Sequence, residues 1–116
     1  MTLFSYLIVG HLIGDYLLQT SWMAAGKATK WAPLFAHCFV YTSVVSGAFL
    51  MDSGMIPIIV VISFFVSHVI LDRRCFVAWW AKTVMGLKDG EPAWLLIIAD
   101  QVFHIFILAV IAHIWQ

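Results

Sequence analysis

Charge is scarce in this chain. Of 116 residues, 10% are Asp, Glu, Lys or Arg, six acidic and six basic, and the formal net charge is zero. Soluble domains carry about 25% charged residues, so the composition places the chain among integral membrane proteins. The neutral balance gives nucleic acid no foothold. Cysteine is nearly absent as well. Cys38 and Cys75 stand far apart in apolar surroundings, which excludes zinc-finger spacing and a disulfide framework and leaves buried or membrane-level thiols. No basic residue precedes the first apolar stretch, and His11 and Asp15 interrupt it. It therefore reads as a retained helix and not as a cleaved leader.

What the chain does have is apolar length. Hydrophobic residues make up 64% of it, and they gather into four stretches, at about 3–20, 33–51, 56–72 and 93–115. Each is near the ~20 residues that cross a bilayer. The expected fold is all-α, a single domain built as a four-transmembrane-helix bundle. The first link, about 21–32, holds Lys27 and Lys30, and the second is a tight turn at Asp52-Ser53-Gly54. The third, about 73–92, begins with Arg, Lys and paired Trp among Phe and Val, which suits an interfacial helix. Gly86, Gly90 and Pro92 break that helix before the last span. All six basic residues fall in the first and third links, so that side is cytoplasmic and both termini lie outside. Trp22, Trp31, Trp79, Trp80 and Trp94 flank the spans on the same side as an aromatic belt.

The polar residues inside the spans follow a pattern. His11/Asp15 and His68/Asp72 repeat H-x3-D, Asp100/His104 reverses it, and His37 and Tyr41 are also four apart. Residues four apart share a helix face. The repetition points to two parallel hairpin repeats about an axis along the membrane normal. At 1.5 Å per residue, Asp15, Asp72, Asp100 and His37 lie ~9–10 Å from the Trp belt, and His11, His68 and His104 ~15–16 Å from it. The reversed order in the fourth span is what keeps these two layers matched. An ionised Asp at a helix centre costs roughly 2.5–3.5 kcal/mol, whereas structural zinc binding supplies ~10–16 kcal/mol in small peptides. A lone His is ordinarily a hydrogen-bonded core residue, and a lone membrane Asp ordinarily pairs with a base or a carbonyl. Seven such groups at matched depths favour a metal site over a proton relay or a structural polar network. The expected ligands are His11, Asp15, His37, His68, Asp72, Asp100 and His104. Zinc, one or two ions, suits His plus carboxylate, and manganese or iron suits the same set.

Gln19, Tyr41 and Gln101 are placed to orient the ligands from behind, with interfacial solvation the competing account for Gln19 and core packing for Tyr41. Lys27, Arg73 and Arg74 either hold an anionic group at the mouth of the site or simply anchor topology. Gly10 and Gly14 suit close helix packing, and His113 sits at the far interface.

"HLIGDYLLQTSWMAAGK", "LFAHCFVY", "SHVILDRR" and "ADQVFH" together resemble domain-of-unknown-function family 3307, small bacterial membrane proteins, over nearly the whole chain. The resemblance carries over His11, Asp15, Gln19, Lys27, His37, His68, Asp72, Asp100, Gln101 and His104, and implies the bacterial inner membrane, where the outside termini read from the charge distribution are periplasmic. The pattern is similar, less closely, to membrane-bound metal-dependent hydrolases. The expected function is a hydrolase whose metals activate water, with Asp15, Asp72 or Asp100 as general base and a lipid-linked or amphipathic ester or phosphoester as substrate. The alternatives are a proton or divalent-metal transporter element, for which a homo-oligomer is expected, and a non-catalytic interaction protein with a structural metal. Apolar residues beyond the inner His layer in all four spans argue against a through-pore.

Overall fold

In the computed structural model, which describes residues 1–89 and 91–116, the regular elements are helices, apart from an isolated bridge between Lys88 and Glu91. Helix α1, Leu3–Leu12, runs directly into a π-helical turn, Ile13–Leu17. It is followed by α2 (Ser21–Gly26), α3 (Trp31–Ser53), α4 (Ile58–Asp72), α5 (Cys75–Thr83) and α6 (Ala93–Trp115).

The ends have local causes. The Thr2 hydroxyl accepts from the Ser5 N–H at 3.2 Å and caps α1; Thr20 caps α2 through the Met23 N–H at 3.3 Å. Pro57 and Pro92 immediately precede α4 and α6, and Pro33 lies in the first turn of α3, where a missing N–H is not needed. Helix α3 stops at Gly54, whose φ of 78° is the left-handed cap that glycine adopts freely. The turn expected at residues 52–54 is this cap. Helix α5 lies in the link read as interfacial and is followed by Gly86 at φ 70°; the break expected at Gly90 lies outside the described residues.

Helix α3 runs two residues beyond the sequence reading at each end, and two other stretches come out shorter than read. The first apolar helix ends at Leu17, because Thr20 caps a new helix, α2, inside what had read as a link. The third begins at Ile58, because Pro57 cannot continue a helix backwards. Helices α3 and α6, 23 residues each, are long and apolar enough to cross a bilayer; Leu3–Leu17 and Ile58–Asp72 are apolar but shorter. A 15-residue helix such as α4 rises only about 22 Å, against ~30 Å of hydrocarbon.

Helices α1 and α4 lie on opposite corners of a four-helix ring, each packed on both α3 and α6; α2 rests on α3, and α5 on α4 and α6. One end of the ring is filled by Leu7, Val45, Phe49, Val60, Phe64 and Leu108. The outward faces are apolar too: Phe39 is 70% exposed and Ile58 73%. The usual arrangement is inverted, since His11, Asp15, His37, His68, Asp72, Asp100 and His104 are each at most 3% exposed. Close approach of α1 to α3 depends on two glycines. A Cβ on Gly10 would lie 3.1 Å from the Ala48 Cβ, and one on Gly14 3.0 Å from Tyr41 Cδ2 and 3.3 Å from its Cα.

Gly14→Ala should therefore destabilise the protein by about 1–3 kcal/mol, since backbone must shift. Gly47→Ala, whose Cβ would meet nothing within 4 Å, should be neutral or stabilising by up to about 1 kcal/mol. Thermal unfolding of the two variants side by side checks the contrast.

Candidate metal centre

Four side chains from three elements meet at one point. Asp15 comes from the π turn, His37 from α3, and His68 and Asp72 from adjacent turns of α4. His37 Nε2 lies 3.0 Å from Asp15 Oδ1 and 2.9 Å from Asp72 Oδ2; His68 Nε2 lies 3.2 Å and 3.0 Å from the same two oxygens. The two Nε2 atoms are 2.9 Å apart. Each Nε2 carries at most one proton, so these five approaches cannot all be hydrogen bonds. They are five edges of a small tetrahedron. Around zinc with bonds of ~2.0 Å, such edges measure about 3.3 Å, so a cation at the centre would satisfy all four atoms at once after slight expansion.

A second group adjoins the first. Ligand atoms of Asp72, Asp100 and His104 lie within 4.8 Å of one another. His104 Nδ1 donates to the carbonyl of Asp100, one turn back, at 2.7 Å. In a neutral imidazole that bond leaves the His104 Nε2 lone pair facing Asp72 Oδ1 at 3.0 Å. Two acceptors face each other there, and His104 Nε2, Asp72 Oδ1 and Asp100 Oδ1 are all buried without a hydrogen-bond partner. Asp72 thus presents one oxygen to each group.

His11, expected among the ligands, belongs to neither group. Its Nε2 is 3.7 Å from Asp15 Oδ2, but its nitrogens are already engaged. Tyr41 Oη donates to Nδ1 at 2.8 Å, and Nε2–H donates to Gln101 Oε1 at 2.8 Å. Gln101 Nε2 in turn donates to Asp100 Oδ2 at 3.2 Å. His11 is a link in a chain that ends on Asp100. The Tyr41 ring also stacks on His68, centroids 3.6 Å apart and 8° from parallel, which fixes the imidazole plane. His37 and His68 have no partner at Nδ1, so for His68 this stacking does the orienting that a hydrogen bond more often does. Gln19 donates to the Asp15 carbonyl at 2.9 Å and so steadies the π turn behind the carboxylate.

Lys27 departs most from the sequence reading, which put it at the mouth with the other basic residues. It is 8% exposed and its Nζ lies 3.0 Å from Asp72 Oδ2. The cause is local. A Cβ on Gly26 would come within 2.5 Å of Pro33 Cγ, so only glycine lets the end of α2 close on α3 and carry Lys27 inward. Arg73 and Arg74 remain at the end of α4, half-buried; the Arg73 guanidinium sits 4.1 Å from the centroid of the Trp31 ring. Sequence reasoning also missed the π turn, whose only local sign is a glycine, Gly14, beside Asp15 in mid-helix. Such turns concentrate at functional sites.

The family described as Protein of unknown function (DUF3307) matches residues 3–116. The chain belongs to this family. The DUF3307 match spans every residue of both His/Asp groups and names no activity. No curated protein and no solved structure matches the chain.

Lys27→Met would leave Asp72 without its ammonium partner. Breaking a buried ion pair costs about 3–5 kcal/mol, so the metal-free variant should unfold well below the metal-free parent. Thermal melts in the presence of chelator test this.

Proposed function

We propose that this DUF3307 chain is a membrane-embedded, metal-dependent hydrolase. In this reading α1 with its π turn, α3, α4 and α6 are four spans, arranged as two parallel hairpins, and α5 lies at the cytoplasmic interface. The apolar outward faces support it, as do Trp22, Trp31, Trp79 and Trp94, each 55–61% exposed. The two short helices are accommodated by local thinning of the bilayer. The termini are then periplasmic, in a bacterial inner membrane.

The observation that carries the proposal is the Asp72 carboxylate, with one oxygen turned to each ligand group. It suits one or two divalent ions, zinc first and manganese or iron with the same donors, held by Asp15, His37, His68 and Asp72 on one side and by Asp72, Asp100 and His104 on the other. Such ions polarise an ester or phosphoryl oxygen and bring water within reach of deprotonation at neutral pH. The chain's own part is positional. Gln101 holds Asp100 Oδ2, which leaves Oδ1 to face an ion of the second group. Tyr41 and His11 brace Gln101. Three carboxylates face one ammonium, an excess of two negative charges; two divalent ions reverse that sign and favour an anionic substrate, a lipid-linked phosphoester above a neutral ester. Transport is disfavoured by the apolar plug of Leu7, Phe49, Phe64 and Leu108, which closes the bundle.

Metal analysis of purified protein is the direct test, with one to two equivalents expected. Asp72→Asn should lose both ions, His37→Ala should lose those of the first group, and His11→Ala should keep the stoichiometry while melting lower. Full stability with no metal found overturns the site. Retained metal with no chelator-sensitive turnover of p-nitrophenyl alkyl phosphoesters or esters overturns the hydrolase. A reporter fused to the C-terminus should read periplasmic.

A further inference from the structure

A feature on the outside of the bundle lies apart from the metal ligands. A groove of about 470 Å³ runs along the seam of α3 and α4, lined by Phe39, Thr42, Ser46, Val61, Phe65 and Val66 among others. Its polar groups are three hydroxyls: Ser43 Oγ donates to the Phe39 carbonyl at 2.8 Å, while Thr42 Oγ1 and Ser46 Oγ are buried and without a partner. A row of stacked rings leads out of it. Phe65 stacks on Phe35 with centroids 6.2 Å apart, and Phe35 on Trp31 at 5.5 Å. The Arg73 guanidinium covers Trp31, and its Nη1 is buried with no hydrogen-bond partner; Nε of the neighbouring Arg74 is likewise buried and unpaired.

We infer that this seam binds one anionic lipid, with the phosphate at Arg73 and one chain laid over Trp31, Phe35 and Phe65 into the groove. The two ends have complementary chemistry. Unpaired guanidinium N–H groups match phosphate oxygens in charge and in hydrogen-bonding geometry. An apolar trough reached from those groups over the stacked rings takes an alkyl or isoprenoid tail. From Arg73 to Ile62 the helical rise is about 16 Å, so head and trough suit one amphiphile lying along the helices. A free phosphate would use only the first end. The inference rests on the membrane reading above but not on metal or catalysis.

The test is native mass spectrometry of the protein released from nanodiscs of phosphatidylcholine containing phosphatidic acid, with chelator present so that loss of metal and loss of lipid are separate results. One phosphatidic acid should be retained per chain, in at least tenfold preference to phosphatidylcholine. Arg73→Gln should reduce retention about tenfold, and Ser46→Phe, which fills the trough, should do the same. Inorganic phosphate at millimolar concentration should not displace the lipid. If Ser46→Phe does not fold, judged by circular dichroism, Arg73→Gln carries the test alone. Equal retention of the two lipids, or retention unchanged in Arg73→Gln, overturns the proposal. So does a dimer that Ser46→Phe splits into monomers, because a second copy then occupies the seam.

Discussion

Burying a carboxylate costs free energy unless its lone pairs are met, and that demand is concentrated at Asp72, where Lys27 meets Oδ2 and Oδ1 is left without a hydrogen-bond donor. The side chain is 1% exposed, and Lys27, His37, His68 and His104 all come within 3.0 Å of its oxygens. Those partners come from α2's end, α3, α4 itself and α6. One anion therefore draws four parts of the chain to a common point, and the order in which they pack follows. Helix α2 must fold back for Lys27 to arrive, so Gly26 must touch Pro33. The Tyr41 ring that covers His68 lies against the π turn as well, where a Cβ on Gly14 would meet it at 3.0 Å.

A good share of this was legible in the chain. The i, i+4 pairs His68/Asp72 and Asp100/His104 do face one point, and His37 joins them from α3. The two layers predicted from the Trp belt are less clean. His68, assigned to the deeper layer, touches the same oxygens as His37, because imidazoles reach along a helix axis further than the rise between their Cα atoms suggests. His11 was indistinguishable from a ligand by spacing. What removes it is the pair of partners that Tyr41 and Gln101 provide from other helices. Lys27 was unreadable for a related reason. A lysine in a link reads as interfacial, and only the contact of Gly26 with Pro33 turns it inward.

The inverted distribution of polarity has an energetic side. Helices α3 and α6 show almost no segregation of apolar residues to one face, since Val45 and Phe39 of α3 are equally greasy and lie on opposite sides of the bundle wall. In water such helices would gain little by choosing a partner face. Here the choice is made by the polar interior. The few hydrogen bonds and ion pairs among the buried His, Asp, Gln, Tyr and Lys specify which helix faces which, and the apolar contacts supply bulk cohesion.

The π turn at Ile13–Leu17 has one more residue than an α-helical turn would use for the same path. It is a built-in slip joint. Leu3, Leu7 and Gly10 on the amino-terminal side hold the packing register against α3, while Asp15 is set by the demands of His37 and His68. In an unbroken helix those two requirements would be locked together at 100° per residue, and a fit to one would fix the other. The extra residue uncouples them. An ancestral straight helix could acquire Asp15's aim by a single-codon insertion without repacking the rest of the bundle.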